Sequence, residues 1–366
     1  MKSLKILSRA SIPSIARQRG TVLITVILVV AFVAILVVEL NKTVVYQANL
    51  NRNLLHRDQA YSYLIGIEEI AKIYLKKAFD AEKDDVVHLG QPWSGQNITF
   101  PIDGGVMSAT VTDMQSCLNL NSIALLEPII QPKGNANSPS QASNSNSSAT
   151  RTPSDGDNKN KESIAEQILT TLIEKLVEDS DIQPAALSAQ VRDWIDKDFT
   201  PTGPDGAEDL YYQGLNIPYL PPNSNIAHVS ELRSVKSFNG AIYDLIRDYI
   251  CVLPDENHNK LNVNTIPAER SELLYAALDG KVSDSAVKKL ISERPKSGYS
   301  MQEFWDEVGA TTKIKKSYKD RLDVTSHYFQ IDAKAEIETT KVYLKTLFFR
   351  EDDNTFKVVS RYFGKE

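Results

Sequence analysis

The sequence predicts an α+β fold: one long N-terminal helix packed on an antiparallel sheet, with a large α-helical domain inserted between the strands. Three observations predict it. Residues 21–78 contain no proline and carry apolar side chains at a period near 3.6. Short alternating runs occur at 97–111 and return only after residue 328. Between them, from 163 to about 319, the pattern is that of successive amphipathic helices, so the sheet is interrupted rather than followed by a helical unit.

The helix begins with an anchor. Thr21–Val38 is an uncharged apolar run, about the 18 to 20 residues needed to cross the hydrocarbon core. Lys2, Lys5, Arg9, Arg17 and Arg19 precede it without any acidic residue. That asymmetry keeps the N-terminus in the cytoplasm and sends everything after residue 40 to the far side of the membrane. A cleaved secretory signal fits less well, because the apolar run is too long and no A-x-A pattern precedes a mature start. Beyond the span, Leu40, Val44, Ala48, Leu55, Ala60, Leu64, Ile67, Ala71, Tyr74 and Ala78 continue one stripe. Span and stalk together make a helix roughly 85 Å long at 1.5 Å per residue.

Asn97–Ile102 and Val106–Val111 flank Asp103-Gly104-Gly105 and predict a hairpin. Residues 131–161 are dominated by Ser, Asn, Pro and Gly, too polar to offset the entropy of ordering, and predict a disordered loop. A helix follows, with Ser163 as N-cap and Glu166 completing a capping box. Further helices are expected at Leu187–Ile195, Ser230–Leu232, Gly240–Ile246, Pro267–Leu278, Ser283–Arg294 and Met301–Val308. Strict alternation from Phe329 to Ile337, the apolar run Val342–Phe349 and the alternation of Phe356–Phe363 predict a closing meander.

Composition excludes some functions. The formal charge is −6, and −11 once the five leader cations are removed, which is unsuited to nucleic acid. No G-x-S-x-G, H-E-x-x-H or P-loop motif is present, so no enzyme is expected. The densest polar cluster is the acidic loop after Trp194. Asp193, Asp196, Asp198, Asp205, Glu208 and Asp209 fall within seventeen residues. Such carboxylates repel one another unless a cation neutralises them, and hard oxygen donors favour calcium. The spacing is not that of an EF-hand, since Pro201 stands where glycine is needed. Read on its residues alone, the loop is a calcium site or a solvated acidic face.

The basic leader ending in Gly20, directly before an unbroken apolar helix, resembles the signal of type IV pilins and type II secretion pseudopilins. The resemblance implies cleavage by prepilin peptidase between Gly20 and Thr21, methylation of Thr21, and a pilin-like head on the long helix. Two positions depart from it. The first mature residue, usually Phe, is Thr21, and the fifth, usually Glu, is Thr25. A carboxylate in lipid is costly unless paired, and in this family that Glu is thought to meet the terminus of a neighbouring subunit. Its absence is similar to the K-type minor pseudopilin. Asn119-Leu120-Asn121 before a helical insertion, the long match DWIDxD…P…GAEDxYY at the acidic loop, and paired helix-hairpin-helix-like units over 260–305 strengthen that resemblance.

From the K-type resemblance follow a tip position on a periplasmic pseudopilus, anchorage in the bacterial inner membrane, and assembly with the I-type and J-type minor pseudopilins above the major pseudopilin. Such a subunit starts or caps the pseudopilus for export of folded proteins. Calcium would be held by Asp196, Asp198, Glu208 and Asp209. The expected organisation is a leader at 1–20, span and stalk at 21–78, first strands at 79–125, a flexible loop at 126–162, the inserted helical domain at 163–325 and terminal strands at 326–366. Cys117 and Cys251, both on the periplasmic side and each near an Asn-x-Asn segment, are expected to form a disulfide; two buried thiols are the alternative. A minor pilin of a type IV or DNA-uptake pilus is the nearest other function, and a membrane-anchored hydrolase with a catalytic metal the more distant one.

Overall fold

The computed structural model describes residues 19–82, 84–95, 97–124, 162–177, 183–254, 259–309 and 312–364. The basic leader up to residue 18 and the Ser/Asn-rich stretch expected to be disordered lie outside the described residues. Helix α1 runs unbroken from Arg19 to Asp80, 62 residues. Within the span, the Thr25 hydroxyl donates to the Val22 carbonyl at 2.9 Å, which satisfies the one polar group introduced where the signal usually carries Glu. The expected stalk stripe divides in two. Ala60, Leu64, Ile67 and Ala71, joined by Leu75 and Phe79, are buried, whereas Leu40, Val44 and Leu55 are exposed. The helix meets its sheet only along its last six turns.

The head follows as β1 (Ile98–Ile102) and β2 (Gly105–Asp113). The inserted part contains β3 (Leu118–Asn119), α2 (Ile164–Leu176), α3 (Pro184–Ile195), α4 (Asp209–Gln213), α5 (Gly240–Ile246) and β4 (Ile250–Cys251). It continues with β5 (Leu261–Asn262), α6 (Ser271–Ala277), α7 (Asp284–Ser292), α8 (Met301–Val308), α9 (Lys316–Lys319) and β6 (Leu322–Asp323). The chain then returns as β7 (Tyr328–Ile337), β8 (Thr340–Arg350) and β9 (Phe356–Phe363). The main sheet has the order β1-β2-β7-β8-β9, and every pairing in it is antiparallel.

Alternation on β7 does what the sequence pattern requires. Phe329, Ile331, Ala333, Ala335 and Ile337 face α1 and are all buried. The far end of the helix is closed by rings: Phe79 lies 5.3 Å from Phe329 and 5.8 Å from Phe356. Asp113 pairs with Phe329, so β2 ends, and the insertion departs, at this end of the sheet, away from the span.

One buried charge joins helix to sheet. Glu68 is fully buried and takes both Arg361 guanidinium donors at 2.7 Å and the Thr346 hydroxyl at 3.0 Å. Burial pushes this carboxyl up, but the bonds from Arg361 and Thr346 outweigh it and hold it below the usual glutamate value.

The insertion has its own core, in which α2 packs against α3 and α6 around Ile168, Leu172, Trp194, Leu274 and Ile246. Ser163 caps α2 through the Glu166 amide. The capping box expected there is only half formed, because the Glu166 carboxylate instead pairs with the buried Arg192 guanidinium at 3.4 Å. Ser300 and Glu303 do form the reciprocal box on α8.

Two short parallel pairs, β3 with β4 and β5 with β6, lie at the root of the insertion. Each carries an Asn-x-Asn. In both, the first Asn accepts from the backbone N–H of the second through its side-chain oxygen, at 3.2 Å for Asn119 and 2.9 Å for Asn262. In both, the second Asn clamps both polar groups of a distant backbone position: Asn121 holds Ile226 and Asn264 holds Tyr299. Buried Asp113 anchors the junction from the head, accepting from Thr265 and Ser326 at 2.6 Å and from the Gln115 amide at 2.8 Å. Cys117 and Cys251 are joined in a disulfide with Cα atoms 5.7 Å apart, under a small cluster of Leu253, Tyr328 and Leu347.

Candidate metal centre

The acidic loop is shaped by a buried carboxylate that holds backbone amides. Asp193, fully buried in the last turns of α3, accepts from the Thr202 amide at 3.0 Å and from the Ala207 amide at 2.6 Å. It thereby ties both ends of the 202–207 turn to the helix. Gly206 passes so close to that carboxylate and to Thr202 that a Cβ there would clash with backbone, which accounts for the Gly before Ala207. Gln190 and Lys236 fasten the same turn by donating to the Asp205 carbonyl at 2.9 and 3.2 Å. Behind it, Trp194, Tyr212 and Tyr219 form an aromatic wall, with Trp194 5.3 Å from Tyr212 and Tyr212 5.2 Å from Tyr219.

On this frame three of the four residues named from the sequence converge. Asp196, at the C-cap of α3, exposed Asp198 and buried Glu208, just ahead of α4, each present an oxygen within 4.8 Å of the other two. Asp209 stands outside this group. One position further on, in the first turn of α4, its carboxylate accepts from the Asn223 side-chain amide at 3.4 Å. The Asn223 amide oxygen is itself buried without a partner, a polar atom that no spacing rule in the sequence marks.

The electrostatics are those of a site short of positive charge. Both Glu208 oxygens and one Asp196 oxygen are buried without a hydrogen-bond donor. Burial, then the charges of Asp193, Asp196, Asp198 and Asp209, push Glu208 up to about 8. Burial, then Asp198 and Asp193, push Asp196 up to about 7, against the pull of Arg192. Oxygens around one calcium lie at 2.3–2.6 Å from it, so a pair on opposite sides is about 5 Å apart. A group gathered within 4.8 Å fits that ion. The donor set, all carboxylate, suits a hard divalent cation rather than zinc or copper.

A long N-terminal helix, apolar enough in its first half to span a membrane and laid along an antiparallel sheet in its second, defines the type IV pilin class of fold. Residues 116–255 and 261–325 match the family models described as type II secretion system (T2SS), protein K. The chain belongs to that family. The type II secretion system protein K of Aeromonas hydrophila is 30% identical over 355 residues, covering 96% of this chain and 99% of the relative. That of Dickeya chrysanthemi is 30% identical over 355 residues, with 95% and 97% covered. Among solved structures, the GspK-GspI-GspJ complex of the enterotoxigenic Escherichia coli type 2 secretion system contains a chain of similar fold. Its TM-score is 0.67 at 24% identity, over 86% of this chain and 99% of that one.

Among the described residues one helix, α1, is long and apolar enough to cross a membrane.

Proposed function

We propose that the chain is the K-type minor pseudopilin at the tip of a type II secretion pseudopilus. Anchored in the inner membrane with its head in the periplasm, it starts or caps assembly together with the I-type and J-type minor pseudopilins, so that folded proteins are exported across the outer membrane. Prepilin peptidase cuts between Gly20 and Thr21, and Thr21 is methylated. Calcium bound by Asp196, Asp198 and Glu208, with Asp209 beside them, orders the loop of the inserted domain.

The observation that carries this reading is the exposed upper stalk. Tyr46, Leu50, Leu54, Leu55 and Tyr61 project from α1 above the span, and the last of them packs on Phe363 at the edge of the sheet. Such a strip beyond the lipid is suited to cover by the helices of neighbouring subunits. The likeness to a chain solved in a complex with I and J subunits supports the choice of partners.

The test is co-expression of the full chain with I- and J-type pseudopilins and purification in detergent. A stoichiometric ternary complex is expected, and Leu54→Asp with Tyr61→Asp should dissolve it. Three subunits that elute separately would refute the partnership. Export of proteins should stop in a deletion strain; loss of DNA uptake with export intact would identify a pilus subunit instead.

A further inference from the structure

The two edges of the main sheet are built differently. β1 is five residues long and holds Pro101, which has no N–H to offer a further strand. β9 is eight residues long, contains no proline and pairs with no strand but β8 among the described residues. A bulge at Val359 interrupts it, yet Ser360–Phe363 pair with Leu347–Leu344 in unbroken register. Beyond them the Gly364 amide donates to the Tyr343 carbonyl at 3.3 Å. By the alternation of an antiparallel ladder, Tyr362 also turns its backbone groups to β8, and Arg361 and Phe363 turn theirs to the open edge.

The usual guards of such an edge are engaged elsewhere. Projecting cations keep open strands from pairing with other chains. β9 carries two, and both are held within the chain: Arg361 donates to Glu68 at 2.7 Å, and Lys357 pairs with Glu351. Val359, Tyr362 and Phe363 are exposed. The edge is also continuous with the stalk. Phe363 packs on Tyr61 at 4.9 Å. Leu54 and Leu50, seven and eleven residues before Tyr61, lie on the same face of α1 and are exposed.

We propose that the β9 edge takes a strand from the sheet of a neighbouring I-type or J-type minor pseudopilin, so that the two sheets run on as one. The inference rests on the pseudopilus reading given above and deepens it. Open backbone N–H and C=O groups select an extended chain as their partner, because a helix satisfies its own groups internally and an acyl phase has none to offer. A subunit whose stalk covers Leu50, Leu54 and Tyr61 is brought alongside Phe363 by the continuity of that surface. An apolar stripe can slide along its partner, whereas ladder bonds recur at fixed steps, so the strand sets the height of one subunit against the next.

Full chain is purified in detergent, alone and with the I- and J-type pseudopilins, and amide hydrogen exchange is read residue by residue. In the chain alone the Arg361 and Phe363 amides should exchange fast and those of Ser360 and Tyr362 slowly. In the complex the first two should slow at least about tenfold. Phe363→Pro removes an edge donor, and Phe363→Ala removes only the ring. The proline variant should bind the partners about tenfold more weakly than the alanine variant, with the two equally folded by circular dichroism. A complex in which Arg361 and Phe363 exchange as in the free chain, or equal binding by the two variants, would overturn the proposal and leave the partnership standing. If no complex forms, the partnership itself has failed and the edge pairing falls with it. Protection that is present in the chain alone and grows with its concentration would assign the edge to a second copy of this chain, which also overturns the proposal.

Discussion

Neutralising one carboxylate, by Glu208→Gln in the full chain, should have opposite consequences with and without calcium. In chelator, the wild-type site holds Glu208 at about 8 and Asp196 at about 7, each above its ordinary value. A carboxyl raised by folding contributes stability that is complete below its unfolded value and lost as pH rises through the folded one. The calcium-free protein should therefore melt progressively lower between about pH 4.5 and 8. Glu208→Gln removes about half of that loss and should melt at or above wild type at pH 8. With calcium at a hundred times its dissociation constant, binding adds about 2.7 kcal/mol to wild type. For a domain of this size that is roughly 5–10 °C in melting temperature. The gap between calcium and chelator should widen with pH, since protons compete for the same oxygens. In the variant the gap should shrink at every pH. Thermal melts by circular dichroism at three pH values, with and without calcium, give all six comparisons. If wild type and variant share the same pH profile and the same calcium gap, Glu208 neither titrates nor binds as argued.

Three further outcomes are expected. In cells with prepilin peptidase, mass analysis of the mature chain should find an N-terminal methylated Thr21 and Gly20→Val should abolish processing; an intact Met1 terminus in the wild type would contradict the signal. Glu68→Ala leaves Thr346 unpaired under the helix and Arg361 half in solvent, and should cost about 2–3 kcal/mol in denaturant unfolding. Because this carboxyl is held low in the fold, its contribution should be present above about pH 4.5 and fade as pH falls through the lower folded value, so wild type and variant converge in acid. Cys117→Ser with Cys251→Ser should cost about 3–5 kcal/mol from the long loop the bridge closes; an unchanged unfolding midpoint would show that the root of the insertion is held by its hydrogen bonds alone.

The parts legible in the sequence were those governed by local period. Phe329 to Ile337 alternate in the chain and in the sheet, and the buried run from Ala60 to Phe79 keeps helical spacing. The stripe below Ala60 read the same and is exposed, because periodicity reports that a face is apolar and not what covers it. Glu166 was paired with its own cap by rule, but burial of Arg192 supplied a stronger partner from another helix. In the acidic loop, residue type pointed to Asp196, Asp198, Glu208 and Asp209; the first three lie within 4.8 Å of one another, and the fold adds Asn223 as a partner of Asp209, which no local pattern marks. Asp193 belonged to the same cluster by composition, yet the backbone amides it holds, Thr202 and Ala207, are nine and fourteen residues away. The two-residue parallel pairs at the root are too short for any pattern to announce.

The order of strands has a consequence for how the chain is made. β2 and β7 are neighbours through their whole length, Gly105 opposite Ile337 and Asp113 opposite Phe329, with the entire insertion between them. On a ribosome adding 5–20 residues per second, β7 emerges roughly 10–40 s after β2. Through that interval the β1–β2 hairpin has a bare edge and one apolar face, a template for pairing with any other strand. An unstructured connection of that length would add about 5 kcal/mol of closure entropy. A helical domain that folds as it emerges replaces most of it with a spacer whose two ends already lie side by side, Ser326 donating to Asp113 and the His327 amide to the Gln115 side chain. The insertion is thus a folding clasp, and loss of the Asp113 carboxylate that closes it should show as aggregation during synthesis.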